Sequence, residues 1–198
     1  MNWKTFLFVA LISYGAHHYF SNRPVAYIPY SAVNQTPVQA DIQQNSAANF
    51  KLNGYTITPL QDFEITARVL ATENYTFDRE ADLAKVDLAL GWGPMSDDAV
   101  LKQIDITQSN RFYYWHVTTF PIPREAIESN SANMHMVAAN AQIEKTLQSI
   151  RPGQSVKIIG YLVEAVAEDG WRWKSSLSRK DTGMGACELV YVKTISVN

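Results

Sequence analysis

The hydrophobic positions of this chain form one continuous run at the N-terminus and a series of alternating stretches from residue 55 onward. The run Thr5–Gly15 reads TFLFVALISYG, and Lys4 is the only charged residue among the first 20. An apolar segment of about 18 residues is near the lower limit for a helix that spans a bilayer. Tyr14 stands where a signal-peptide cleavage site needs a small residue, so the pattern favours an uncleaved transmembrane anchor at 1–20 over a cleaved signal.

The next segment, residues 21–54, has the composition of a linker. Its first half contains three prolines, and residues 41–53 read DIQQNSAANFKLN. Each proline biases the residue before it toward extended backbone. A polar stretch of this kind buries too little apolar surface to offset its ordering entropy. We therefore expect an extended spacer that holds the rest of the chain away from the membrane.

The remainder, 55–198, is expected to form a single domain dominated by strands. Apolar and polar residues alternate along several short runs, which is the pattern of a strand with one buried face. Gly160 lies in the middle of a long predicted strand, where glycine is typical of a bulge or a barrel corner. The aromatic run 111–117 has two bulky faces, which predicts a central strand. The other predicted strands are 63–71, 86–92, 155–167, 171–177 and 187–193.

Helix signals are fewer. Ser96 is a candidate N-cap, and residues 123–129 read as a short helix. A further helix begins at Asn140 and repeats apolar residues at helical spacing through Ile150. Many short strands with few helices predict a mainly β, α+β fold. The expected form is a small, partly open antiparallel barrel of the OB type with two or three short helices.

Composition narrows the classes of function. The chain has one cysteine, which excludes an internal disulfide framework and multi-cysteine metal sites. Its net charge of -2 and the lack of a basic run argue against nucleic-acid binding. Met134, His135 and Met136 are ligand types that suit copper, but neighbouring strand residues point to opposite faces. We therefore expect neither a metal site nor a cofactor.

Four runs of the chain are specific in combination: DLALGWGPMSD (87–97), QSNRFYYW (108–115), SANMH (131–135) and GWRWKSSLSRKDTGMGACEL (170–189). Together they resemble a group of membrane-anchored bacterial proteins without an assigned activity. The resemblance implies a bacterial origin and an anchored globular domain, and it implies no chemistry. Lys4 adds a weak positive-inside signal, so we expect a single-pass inner-membrane protein with its domain in the periplasm.

One candidate chemistry is that of a thiol nucleophile. Cys187 is the only thiol, and a nearby imidazolium or guanidinium would lower its pKa. His135 would act as the acid and base, and Arg179 would orient the substrate or stabilise the oxyanion. An anchor followed by a β-barrel, a histidine and a late cysteine is similar to the order in sortase transpeptidases. Unlike sortases, this chain has Gly185–Ala186 before the cysteine and no arginine after it. The alternative is that Cys187 is a small buried residue.

A second interpretation is a binding module for another envelope protein or a cell-wall component. Loops on a rigid barrel commonly carry function, and the predicted turn and loop from Trp171 to Gly185 is the richest in suitable side chains. The candidate ligand-binding residues there are Trp171, Trp173, Arg179 and Asp181. Outside this loop, Asp87 alternates with apolar neighbours, so we expect a buried ion pair with Arg111 or Arg179.

Overall fold

Five strands of this chain pair in a closed circuit, and the alternation in the sequence places their apolar side chains inside it. The computed structural model describes residues 2–21, 23–26, 31–42, 47–178 and 187–198, and it is mainly β with a large mixed sheet and a few helices. The strands are β1 (Val38–Asp41), β2 (Phe50–Leu52), β3 (Tyr55–Asn74), β4 (Val86–Gly91), β5 (Asp105–Ser109), β6 (Phe112–His116), β7 (Ser131–Ala138), β8 (Ser155–Val166), β9 (Arg172–Lys174) and β10 (Glu188–Val197). The helices are α1 (Trp3–Ser21), α2 (Asp98–Leu101), α3 (Arg124–Ser129) and α4 (Ala141–Gln148), with 3-10 turns at Ser31–Asn34, Arg79–Asp82 and Gly93–Ser96.

The circuit runs through β3, β4, β7, β10 and β8 and returns to β3, so these five strands enclose the barrel of the fold. Antiparallel pairing joins β3 to β4, β4 to β7, β10 to β8 and β8 to β3. The remaining pair, β7 with β10, is parallel. The expectation of a fully antiparallel sheet was therefore wrong. A parallel pair needs a long crossover, and here the crossover contains α4, β8 and β9.

The interior of the circuit is apolar, and α4 packs against it. Asn140 caps this helix by accepting a hydrogen bond from the Ile143 backbone N–H at 3.0 Å, as the sequence predicts. Ile143 and Leu147 are buried in the same cluster as the strand residues. The strand residues of this cluster include Phe63, Ile65, Ala67, Val69, Leu88, Leu90, Met134, Met136, Ile158, Leu162, Val190 and Val192.

Gly160 marks an irregularity in the circuit, as predicted. The register between β8 and β10 shifts between Val192 and Thr194, opposite this glycine. A Cβ atom at position 160 would lie 1.8 Å from the Tyr191 carbonyl oxygen. The two backbones therefore approach more closely than any other residue type would allow.

The aromatic run 111–117 is not central. Among the residues that the structure describes, its strand, β6, pairs only with β5, in a two-stranded sheet outside the main one. The two residues of the connecting turn, Asn110 and Arg111, both have positive φ, of 52° and 69°. This is the backbone of a tight hairpin, which joins β6 to its neighbour in sequence. A smaller correction concerns α2, which is capped by Asp97 rather than by Ser96.

The described parts of 21–54 pack on the barrel rather than forming a free spacer. The strands β1 and β2 pair with β3, and Val33 is only 2% exposed. The Val25 backbone N–H donates to the Pro152 carbonyl at 2.9 Å. A few apolar side chains and the backbone groups of β3 suffice for this packing, although the average composition of the segment is polar.

Residues Trp3–Ser21 form the expected N-terminal helix, α1. Across the part of the chain that the structure describes, no helix combines the length and the hydrophobicity that a bilayer crossing requires.

Candidate functional site

Several of the outward side chains of β4 and β7 are polar and yet buried. On β7, Met134 faces the core, so the residues on either side of it, Asn133 and His135, point outward. Asp87 takes the corresponding place on β4, directly opposite His135. All three outward residues are at most 4% exposed. The chain therefore covers this face of the barrel with its own residues.

Arg111, from the turn of the β5–β6 hairpin, is the centre of this covered face. Its guanidinium donates to both Asp78 oxygens, at 2.6 and 2.9 Å, and to the Asp87 Oδ1 at 3.0 Å. It also donates to the Ala84 carbonyl at 2.8 Å and lies 3.6 Å above the Tyr75 ring centroid. The pairing of Asp87 with Arg111, one of the two partners predicted, is confirmed.

Asp87 is shared between the guanidinium and an imidazole. Its Oδ1 lies 2.9 Å from the His135 Nδ1, but among the described residues neither its Oδ2 nor that Nδ1 has a hydrogen-bond partner. The His135 ring also packs against Trp173 with a centroid distance of 4.8 Å. The imidazole therefore lies between a buried carboxyl group and an indole ring.

The charges of the cluster follow from its contacts. Burial is the largest single influence on the pKa of Asp78 and would raise it, but the hydrogen bonds and positive charge of Arg111, together with backbone N–H donors, outweigh burial and lower that pKa. Burial raises the pKa of Tyr75 to about 12, so its hydroxyl is protonated at neutral pH. That hydroxyl accepts a hydrogen bond from the Arg111 backbone N–H at 3.0 Å. The site thus contains one guanidinium, two carboxylates and a neutral phenol.

Cys187 lies on the same outer face. Its Sγ is 4.0 Å from the Arg111 carbonyl oxygen, which also accepts a hydrogen bond from the Asn133 side chain at 2.9 Å. In the parallel pair of β7 and β10, Leu189 lies opposite His135, and Cys187 comes two residues before Leu189. The residue is half-buried. The structure thus places two of the three members of the proposed thiol site, His135 and Cys187, around one arginine turn, and the third, Arg179, lies outside the described residues.

A second group of side chains joins two loops at one end of the barrel. These loops, 75–85 and 167–171, are called the rim below. Arg79 Nη2 donates to both Asp169 oxygens, at 2.7 and 2.8 Å, and its guanidinium lies 4.8 Å from the Trp171 ring centroid. Trp171 in turn contacts Trp173 edge-on at 6.0 Å. The side chain of Phe77, on the first loop, is fully exposed.

The structure brings together His135, Cys187, Trp171 and Trp173, whereas Arg179 and Asp181 lie outside the described residues. Sequence reasoning found Arg111 only as an ion-pair partner. It missed Tyr75, Asp78 and Arg79, and it identified Asp169 only as a turn residue and a carboxylate near the barrel. The available signal was the charged run DREAD after Phe77, between two predicted strands. In the described ranges, no three His, Cys, Asp or Glu side chains are grouped so that they would hold a metal ion.

Comparisons of the chain with protein-family models, with curated proteins and with solved structures found no match. Any function assigned to it therefore depends on its own residues.

Proposed function

We propose that this chain is a bacterial envelope protein whose barrel is of the OB type and acts by binding a partner. The order of the circuit supports the OB assignment. Numbered along the chain, its strands are neighbours in the order first, second, third, fifth, fourth and first again. Five strands in such a Greek-key order are the architecture of that barrel, and α4 connects the third strand to the fourth.

Because the outer face of β4 and β7 is covered, the binding site is assigned to the rim. OB barrels bind ligands on the face of their second and third strands and on the loops after the first and fourth strands. Here the second and third strands are β4 and β7, and the hairpin carrying Arg111 covers their outer face. The rim comprises the remaining two loops. The observation that carries the proposal is that Arg79 and Asp169 bridge these two loops beside Trp171.

The partner is another envelope protein or a cell-wall component. Nucleic acid does not fit, because the chain is acidic overall and the rim adds several carboxylates. These carboxylates are Asp78, Glu80, Asp82, Glu168 and Asp169.

In this proposal α1 is the membrane anchor, and the docked linker orients the barrel. Val25, whose backbone N–H donates to the Pro152 carbonyl, comes only four residues after the end of α1. Four residues of extended chain span at most about 14 Å. The turn at 151–154 therefore lies close to the bilayer. From that turn β8 runs for 12 residues, or about 36 Å, toward the rim. The rim is thus directed away from the membrane.

Reversing the charge of Arg79 tests the proposal. We expect the full-length chain to require detergent for extraction and to copurify with a partner. We expect the amount of partner that copurifies with the Arg79→Glu variant to be at least tenfold lower, because a glutamate repels Asp169 and separates the two loops of the rim. Arg124→Glu is the matched control. Arg124 also pairs with a carboxylate, that of Glu128 at 2.8 Å, and also covers a tryptophan, Trp115 at 5.6 Å, but lies outside the rim. Equal losses in both variants, or extraction without detergent, would contradict the proposal.

A Cys-dependent hydrolase or transpeptidase is the second candidate, and one observation favours it. The Asp87 Oδ1 lies 2.9 Å from the His135 Nδ1, and a carboxylate beside the imidazole is the third member of a cysteine–histidine–carboxylate site. An activated thiol would react with an alkylating agent with an apparent pKa of about 7 or lower, and His135→Gln would raise that value toward about 8.5. Alkylation of Cys187 at a series of pH values measures it. A value of about 8.5 in both proteins removes this candidate.

A further inference from the structure

Phe77 is a large apolar side chain whose exposure is 100%. Burying such a ring would stabilise the fold, so its exposure is unfavourable for the chain alone. Single exposed apolar residues are common, so exposure by itself indicates nothing. What sets Phe77 apart is the way in which the residues on both sides of it are held.

The loop around Phe77 is tied to three other parts of the fold. Tyr75 accepts a hydrogen bond from the β5–β6 turn, and its backbone N–H donates to the Lys85 carbonyl at 2.8 Å. Asp78 binds the same turn through the guanidinium of Arg111 and also accepts from the Ala81 N–H at 2.7 Å, which caps the 3-10 turn.

The other side of the loop is held in the same way. Arg79 is bonded to Asp169 in the β8–β9 turn. The Asn53 side chain, in the β2–β3 turn, donates to the Asp82 carbonyl at 2.8 Å. These ties prevent the loop from collapsing onto the barrel and burying the ring of Phe77. The aromatic side chain is therefore presented to solvent on a fixed backbone.

A fixed, exposed aromatic residue has the properties of a binding anchor. Binding energy at protein interfaces is concentrated in a few side chains that fill pockets, and aromatic residues are prominent among them. Holding such a residue in place beforehand reduces the entropy that association costs.

The charges beside Phe77 restrict what it binds. Arg79 is the basic residue nearest to it in sequence, and it is already paired with Asp169. Asp78 is likewise paired, with Arg111, so the carboxylates of Glu80 and Asp82 leave the loop acidic. Such a surface is repelled by anionic lipid and by a second copy of itself, and it attracts basic side chains.

We infer that Phe77 is the anchor of a protein-binding surface, and that it inserts into an apolar pocket bordered by basic residues on another protein. This inference depends on the proposed binding function and specifies the chemistry of the partner.

Photo-crosslinking of the full-length chain in cells tests the inference. We expect p-benzoylphenylalanine at position 77 to give one discrete adduct, which mass spectrometry identifies as a different protein. The control places the same group at Phe120, another exposed aromatic residue that lies outside the rim. That position is expected to give no such band. Adding Glu80→Lys and Glu168→Lys to the position-77 protein should lower the adduct yield at least fivefold. No adduct at 77, an adduct with a second copy or with lipid, or a yield that the charge reversal leaves unchanged would overturn the inference.

Phe77→Ala separates this inference from the proposed function. Because the ring is fully exposed, we expect the variant to keep its Tm within about 1 °C. We also expect the amount of partner that copurifies with this variant to be at least tenfold lower than with the wild type. If Phe77→Ala retains the partner and Arg79→Glu loses it, the anchor is wrong and the binding function stands. If both variants retain the partner, both are wrong.

Discussion

Replacing Asp87 with alanine is expected to lower the free energy of unfolding by about 3–5 kcal/mol. The Asp87 side chain is fully buried and touches both Arg111 and His135, so its removal leaves a buried guanidinium with one carboxylate instead of two. Arg111 is held at φ 69°, a backbone conformation that a bulky residue adopts only under constraint. Loss of the pair therefore also weakens the β5–β6 turn. Urea unfolding of the full-length chain, followed by tryptophan fluorescence, measures the change.

Glu64→Ala is the control for Asp87→Ala, both in stability and in proteolysis of the hairpin. Glu64→Ala removes one partner of a surface ion pair, that with Lys157, whose side chains are both more than 40% exposed. We expect that change to cost at most about 1 kcal/mol. Limited proteolysis in the hairpin, residues 105–116, should increase in Asp87→Ala and not in Glu64→Ala. Similar losses of stability in the two variants would show that the buried cluster contributes no more than a surface pair.

Asp78 supplies a pH dependence to the same cluster. Its pKa is lower in the folded chain than its ordinary 3.8, because the hydrogen bonds and charge of Arg111 and the backbone N–H donors together outweigh the effect of burial. The unfolded state therefore takes up a proton first as the pH falls. The contribution of this group to stability is fully present above its ordinary pKa of 3.8. It is lost as the pH falls through the lower pKa of the folded state. We expect the difference in stability between the wild type and Asp78→Asn to shrink over that range.

The sequence was informative where a residue's neighbours along the chain decide its environment. Alternation alone identified Phe63 and Leu88 as core residues, and helical spacing with an N-cap identified α4 from Asn140 onward. The same alternation marked Asp87 as a buried carboxylate that needs a partner.

The errors arose where distant segments decide the structure. The turn Asn110–Arg111 lacks the glycine that usually signals a tight hairpin, because ion pairs from elsewhere hold the arginine in place. The strand β1 is polar in composition and forms only because β3 offers it a free edge at residues 61–64. The rim depends on the contact of Arg79 with Asp169, which are 90 residues apart, so no local pattern could predict it.

Gly160→Ala is expected to lower the free energy of unfolding by about 3 kcal/mol, at the upper end of the cost of overpacking. The new methyl group would lie 1.8 Å from the Tyr191 carbonyl oxygen, and the atom it meets belongs to the backbone of β10. A backbone atom cannot rotate away as a side chain does, so β8 and β10 must separate where they close the barrel. Urea unfolding gives the size of the effect. Hydrogen exchange is expected to locate it at the amides around Val192.

Gly170→Ala is the matched control for the new methyl group. Gly170 has a φ of +87°, and a Cβ atom there meets nothing within 4 Å. We expect this variant to lose about 1–2 kcal/mol through backbone strain alone, without a change in exchange along β10. A smaller loss for Gly160→Ala than for Gly170→Ala would mean that the bulge at Val192 and Thr194 shifts to admit the methyl group. In that case the closure of the barrel would not depend on the close approach of β8 and β10.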